Sequence, residues 1–102
     1  IKNNGRYQIT ALLDWEFCFA GSYLMDVGQF LRYGHKIPNY SSYFIKGFEL
    51  SNLQLPENWE LKAKILDILC LLNLLYYNPI DTRPNLNKDV IGLITHTVNF
   101  YK

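Results

Sequence analysis

The sequence predicts a mostly α-helical fold with one small β-hairpin at its N-terminus. Turn residues Asn3-Asn4-Gly5 separate two short strand-like runs. Farther along, apolar residues recur at three- and four-residue spacing, as they do in helices that pack on a core. Between residues 65 and 77, eleven of thirteen residues are apolar, which indicates a buried helix. We treat residues 1–102 as a single partial domain, because 102 residues suffice for one small domain or a piece of a larger one.

Composition and charge exclude several classes of protein. Hydrophobic residues make up 49% of the chain and charged residues 19%, which excludes general disorder. Ten Lys and Arg against nine Asp and Glu leave a net charge of +1, so we expect no nucleic-acid partner bound by bulk charge. The apolar run at 65–77 is shorter than the roughly 20 residues of a membrane span, so we expect no membrane partner. Cys18 and Cys70 form no C-x-x-C motif, which fits a reducing, cytoplasmic location.

The predicted hairpin spans residues 1–14. Asn and Gly tolerate the positive φ angles that tight hairpin turns require. From Tyr7 to Leu13 the residues first alternate and then become continuously apolar, which predicts a strand that becomes buried on both faces. Asp14 then interrupts the apolar run, so we expect the strand to end in a carboxylate.

Residues 22–102 are predicted to form a helical subdomain with four helices. Ser22 is the expected N-cap of a helix from Tyr23 to about Arg32, which Gly34 would close in a left-handed conformation. A shorter helix is predicted from Ser41 to about Leu50.

The third and fourth helices complete this subdomain. The third, Trp59–Tyr77, is hydrophobic nearly all round and should be the most buried helix, packed on several sides. The fourth should run from about Lys88 to Tyr101. Its expected apolar face consists of Val90, Ile94, Val98 and Tyr101.

A carboxylate at the end of a buried strand can lie at the rim of a cleft. Magnesium prefers one or two carboxylates together with phosphate oxygens over a cage made only of protein groups. A single well-placed Asp14 would therefore be enough to hold a nucleotide-bound metal. From the spacing alone, an ordinary surface carboxylate is the more frequent explanation, because carboxylates at strand ends are common.

The stretch from Ile9 to Val27 resembles the C-lobe segment of the aminoglycoside phosphotransferase and choline kinase-like family. It carries an apolar run, then Asp14-Trp15-Glu16, a Gly after a few residues, and Asp26 followed by a hydrophobic residue. The family continues with Ala where this chain has Gly28. The specific resemblance covers about residues 1–33 and implies the helical C-lobe of a protein-kinase-like α+β fold.

The resemblance also implies a function and a role for each matched carboxylate. Asp14 matches the Asp that binds Mg²⁺ against the phosphates of ATP or GTP. Asp26 matches a structural Asp that ties its helix to the catalytic loop, although a favourable interaction with the helix N-terminus would also explain it. The implied activity is transfer of the γ-phosphate to a hydroxyl of a small molecule, an aminoglycoside, choline or a similar acceptor.

The family's catalytic-loop motif, H-G-D-x-x-x-x-N, is absent from this sequence. Since phosphoryl transfer depends mainly on positioned groups and charge neutralisation, a chain without this loop should be inactive alone. We therefore expect no catalytic residue among the 102 residues, a functional enzyme only in an intact parent protein, and self-association of the isolated piece. The alternative is a non-enzymatic helical interaction module, in which Asp14 is an ordinary carboxylate.

Four further residues have two open interpretations. Glu16 would point the same way as Asp14 on an extended chain, so it would either bind a water on the metal or be a solvated carboxylate. Tyr40, Tyr43 and Phe44 lie on one aromatic-rich helix. Core packing explains them, while the resemblance implies that this region helps to shape the acceptor pocket.

The two histidines are predicted to be solvated. His35 lies in a polar loop and His96 on the polar face of the last helix. Neither has a second potential metal ligand at ligand spacing in the sequence.

Overall fold

The fold of residues 2–16 and 18–102, as given by a computed structural model, is a short hairpin followed by four α-helices. The predicted class, mostly helical with one hairpin, is confirmed. The elements in chain order are β1 (Lys2–Asn3), β2 (Arg6–Tyr7), α1 (Tyr23–Phe30), a 3-10 turn (Gly34–Lys36), α2 (Tyr40–Leu50), α3 (Trp59–Tyr77) and α4 (Pro84–Phe100).

The hairpin is shorter than predicted. Lys2 pairs with Tyr7 and Asn3 with Arg6, around a turn in which Gly5 has a φ of 76°. The predicted continuation of the strand to Leu13 is wrong: residues 8–16 contain no strand, and Leu13 is 83% exposed. A strand needs a neighbour to satisfy its backbone groups and cover its apolar face, and the described chain offers none here. Position 1 lies outside the described residues.

Helix α1 begins as predicted and ends differently. The Ser22 hydroxyl accepts a hydrogen bond from the Leu24 N–H at 3.3 Å, which caps the helix. The helix ends at Phe30, and Gly34 does not close it in a left-handed conformation. Gly34 instead opens the 3-10 turn, whose backbone is accessible to any residue, so a glycine after the last periodic residue was a misleading signal here.

The first part of the core lies where α1 crosses α3. Gly28 contacts the backbone of Ala63 so closely that a side chain at position 28 would collide with the Ala63 carbonyl. Phe44 and Phe48 of α2 pack against the same cluster from outside. Its buried members are Leu24, Val27, Leu31 and Ala63.

The second part of the core joins α3 to α4 through Leu71, Val90 and Leu93. Helix α4 begins at Pro84, one turn before the predicted start, because proline is well suited to the first helical position.

The predicted apolar face of α4 is only partly correct. Val90 is buried and Ile94 half-buried, whereas Val98 and Tyr101 are exposed, since the C-terminal part of α4 extends beyond the cluster with Leu71. The side-chain amide of buried Asn87 stabilises the start of the helix by donating a hydrogen bond to the Asn78 carbonyl at 2.7 Å.

Helix α3 has the predicted bounds and contacts both α1 and α4. The expectation that it is buried on several sides is wrong for Ile65, Leu69 and Leu72, which are all exposed. No helix of the described chain covers this side of α3. None of the described helices is long and apolar enough to cross a membrane.

One polar residue interrupts the buried side of α3. Asp67 accepts three hydrogen bonds from the Arg32 guanidinium, the shortest at 2.6 Å from Nη2 to Oδ1. These hydrogen bonds raise the pKa of Arg32, against the opposing effect of its burial. The pair connects the end of α1 to the middle of α3.

Candidate functional site

An open cleft lies between the segment around Asp14 and the start of α1. Its volume is about 460 Å³, and Asp14, Asp26 and Gln29 supply its polar side chains together with Ser22. We call it the Asp14 cleft. Its remaining walls are mostly apolar and include Leu12, Leu13, Trp15, Phe19 and Met25. The two carboxylates matched by the family motif therefore line the same cleft, whereas Glu16 is not among its lining residues.

The backbone at Asp14 has an unusual conformation. Its φ is 67°, in the left-handed region, and the other non-glycine residues of the described chain with positive φ are all asparagines. Such a conformation costs energy, about 1 kcal/mol or more for most residues and less for Asp, and it is found disproportionately at functional sites. Beside it, the Trp15 indole Nε1 donates to the Leu12 carbonyl at 2.9 Å and the Cys18 N–H donates to the Trp15 carbonyl at 3.1 Å. Hydrogen bonds on both sides thus hold the bend that carries Asp14.

Asp26 and Gln29 belong to α1 and lie one turn apart. Asp26 is exposed in the first turn of the helix, where the helix dipole favours a negative charge. The Gln29 amide is 3.6 Å from the Cys70 sulfur of α3, a weak hydrogen bond that orients this side chain at the edge of the cleft. Gln29 could not be predicted from the sequence, because an amide on an exposed helix surface has no distinguishing spacing. The expected tie from Asp26 to a catalytic loop stays a prediction.

The donor chemistry of the cleft fits a magnesium ion that arrives with a nucleotide. Within the described residues, no group of three or more His, Cys, Asp or Glu side chains could hold a metal by itself. Mg²⁺ commonly takes only one or two carboxylates and completes its octahedron with water and phosphate oxygens. Asp14, with Asp26 on the same cleft, supplies the kind of partial ligand set that such an ion uses.

The predicted aromatic residues of α2 line an open groove of about 500 Å³. Phe30 of α1 stacks on Tyr40 with ring centroids 5.2 Å apart and contacts Phe44 at 5.3 Å. Phe44 is half-buried against the core, whereas Tyr43 is 71% exposed. Core packing therefore accounts for Phe44, and Tyr43 remains available to a ligand.

This aromatic groove lies next to the Asp14 cleft along α1. Asp26 lines the cleft and Phe30, one helical turn later, lines the groove. The two concave surfaces are thus separated by about one turn of the same helix.

The sequence does not predict the contacts that polar side chains around the 3-10 turn make with α4. Both histidines are exposed, as predicted, but their rings are stacked on each other with centroids 3.9 Å apart. The Tyr33 hydroxyl donates to Asp89 at 2.6 Å, and Lys36 lies 4.0 Å from the same carboxylate. Burial and the neighbouring His96 lower the pKa of His35, with smaller contributions from two lysines. No local spacing could reveal these pairs, because the partners are far apart in the chain.

Comparison of the chain with protein-family models, curated proteins and solved structures finds no match. The assignment of a function therefore depends on the residues themselves. Those residues are the motif from Ile9 to Val27, the conformation of Asp14, and the shared cleft that Asp14 and Asp26 line.

Proposed function

We propose that this chain is part of the C-lobe of a phosphotransferase that moves the γ-phosphate of ATP or GTP to a hydroxyl of a small molecule. The observation that carries the proposal is the cleft lined by both Asp14 and Asp26, with Asp14 in a left-handed conformation. These are the two carboxylates at the matched positions of the kinase-like motif. Their position on one concave surface supports the proposal.

In this proposal each part of the cleft has a distinct task. Asp14 would bind Mg²⁺, which when bound neutralises charge on the nucleotide phosphates. Asp26 would orient the groups that approach the cleft from the start of α1. The group that accepts the hydroxyl proton would come from a catalytic loop of the parent protein, since this sequence lacks H-G-D-x-x-x-x-N.

The acceptor would bind in the aromatic groove of Tyr40, Tyr43 and Phe44. The groove lies one turn of α1 from the Asp14 cleft, so an acceptor there would be near a phosphate held at Asp14. Aromatic faces attract cationic groups, such as the protonated amino groups of aminoglycosides and the quaternary ammonium group of choline. The choice among such acceptors stays open.

The decisive experiment uses the whole protein that contains this chain. Transfer of γ-phosphate from ATP and from GTP would be measured against a panel of hydroxyl acceptors, for the wild type and for Asp14→Ala. We expect the variant to lose turnover while its free energy of unfolding falls by only about 1 kcal/mol, because the Asp14 side chain is exposed and the main loss is the strain of alanine at a left-handed φ. Asp81→Ala, which removes an exposed carboxylate in the turn after α3, is the matched control and should keep full activity. Near-wild-type transfer by Asp14→Ala would refute the proposed role.

A second test uses the 102-residue chain and needs no turnover. With ATP present at millimolar concentration, Mn²⁺ would be added as a paramagnetic substitute for Mg²⁺, and broadening of amide NMR signals would be followed. We expect broadening at Asp14 and Asp26 that disappears in Asp14→Ala. Broadening centred elsewhere would place the metal outside the cleft.

The second candidate is a non-enzymatic helical interaction module. The observation that favours it is the exposed apolar side of α3, which includes Ile65 and Leu69. The coding sequence upstream of Ile1 separates the two functions. An H-G-D-x-x-x-x-N motif shortly before Ile1 supports the phosphotransferase, whereas a start codon there supports the module.

A further inference from the structure

The outward side of α3 carries a continuous row of large apolar side chains. They recur every three or four residues, and between 41% and 78% of each remains exposed. We call this row the outer α3 stripe. Its members are Leu61, Ile65, Leu69, Leu72 and Tyr76.

The outer α3 stripe lies opposite the side of the helix that packs into the core. Ala63, Asp67 and Leu71 are buried against α1 and α4, roughly 180° around the helix from the stripe. A surface helix of a globular protein normally carries polar residues on its outer side. Helix α3 is therefore apolar on two sides, and only one of them is covered within the described chain.

We propose that the outer α3 stripe is a self-association surface on which two copies of the chain pack through a two-fold axis near Leu69. The five side chains expose roughly 500 Å² together, so a symmetric pair would bury about 1,000 Å², near the lower limit for a specific interface. Such an area fits a weak dimer with a dissociation constant in the micromolar range. A two-fold arrangement lets the same stripe serve both copies.

The distribution of charge on α3 selects an antiparallel arrangement. Lys62 borders the stripe near its N-terminal end, while the C-terminal half, residues 68–77, has no charged side chain. Parallel packing would place both Lys62 ammonium groups at the same end of the interface, on its two opposite edges. Antiparallel packing places each beside the neutral half of the other helix, near Asn73, and also opposes the two helix dipoles. In this arrangement Leu69 faces Leu69, and Leu61 faces Tyr76.

The test is a charge exchange at the centre of the stripe. Sedimentation equilibrium would be measured for the 102-residue chain, for Leu69→Glu, for Leu69→Lys, and for their equimolar mixture. We expect dimers for the wild type, association at least about 30-fold weaker for each variant alone because like charges meet, and recovery in the mixture. Ile91→Glu is the matched control. It alters a side chain on α4 that is 50% exposed, against 56% for Leu69, and should leave dimerisation unchanged.

Orientation is tested by a second exchange, Leu61→Glu mixed with Tyr76→Lys. Antiparallel packing predicts that this mixture associates more tightly than either variant alone. Far-UV circular dichroism of each variant should match the wild type, because all four substituted positions are exposed. A monomeric wild type at about 200 μM, far above the dissociation constant expected for this area, would overturn the proposal. Failure of the Leu69 mixture to associate, or equal disruption by Ile91→Glu, would do the same.

Discussion

Removing the buried carboxylate of Asp67 is the most direct way to test how α1 and α3 are held together. Asp67 is 4% exposed and lies in the middle of α3, where it accepts three hydrogen bonds from Arg32 at 2.6, 3.1 and 3.2 Å. Asp67→Ala would leave the guanidinium in the same partly buried place without a counter-charge. The cost then includes the uncompensated charge as well as the lost hydrogen bonds.

The magnitude follows from how much water can reach Arg32. Breaking a fully buried ion pair by removing one partner costs about 3–5 kcal/mol. The Arg32 side chain is 17% exposed, so it can recover part of its hydration. We therefore expect a loss near the lower end, about 3 kcal/mol. That is a large share of the roughly 5–15 kcal/mol of a typical domain and would lower a urea midpoint by about 1–3 M.

The assay is urea unfolding followed by circular dichroism at 222 nm. Asp81→Ala, an exposed carboxylate, should change the free energy of unfolding by less than about 0.5 kcal/mol. The double variant Arg32→Met/Asp67→Leu should recover most of the loss, because apolar residues of similar size can replace a buried pair at little cost. If Asp67→Ala cost less than about 1 kcal/mol, the pair would be solvated and the described contact between α1 and α3 would be wrong.

Two further predictions concern the contact of α1 with α3 at Gly28 and the stacked pair of His35 and His96. Gly28→Ala should destabilise the fold by about 1–2 kcal/mol, because its methyl group would collide with Ala63. Gly92→Ala should stabilise the fold by about 0.5–1 kcal/mol, because position 92 faces open space. The thermal unfolding midpoints of the two variants should therefore shift in opposite directions. Because the pKa of His35 is lowered from 6.5, the unfolded state binds its proton first. The contribution of His35 to the free energy of unfolding should therefore be fully present above about pH 6.5 and be lost as the pH falls toward the folded-state pKa. The loss should be smaller in His96→Gln. A urea midpoint that does not change between pH 5 and 8 would contradict this prediction.

The helices were predictable because their signals are local. Ser22 begins α1 and Asn78-Pro79 ends α3, and the bounds of α3 agree with the structure residue for residue. The strand expected at 7–13 was not predictable from its alternation. Alternation describes which side chains share a face, but whether a strand forms depends on a partner that donates and accepts hydrogen bonds. In the described chain Arg6–Tyr7 has such a partner in Lys2–Asn3, and no further strand lies beside residues 9–13.

The same distinction between local and long-range signals applies to the functional and buried polar residues. Asp14 and Asp26 could be predicted from a motif within one short stretch, and the structure brings both to one cleft. The pair of Arg32 and Asp67 could not, because Arg32 lies just after α1 and Asp67 is 35 positions later, in α3. Its one signal in the sequence was the single carboxylate within the apolar run 65–77 of α3, and a buried carboxylate needs a cation. That rule predicts that a partner exists without saying which residue it is.

The glycine at position 28, where the family pattern has alanine, affects the geometry of the candidate site. The kinase-like motif carries Ala there, and this chain has Gly28, packed against the Ala63 carbonyl. A Cβ at position 28 would also lie 3.1 Å from the Cβ of Asp67, so any side chain would push on the residue that binds Arg32. Asp26 is two residues before Gly28 on the same helix. The close approach that glycine permits therefore sets where α1 lies on α3, and with it the position of Asp26 in the Asp14 cleft.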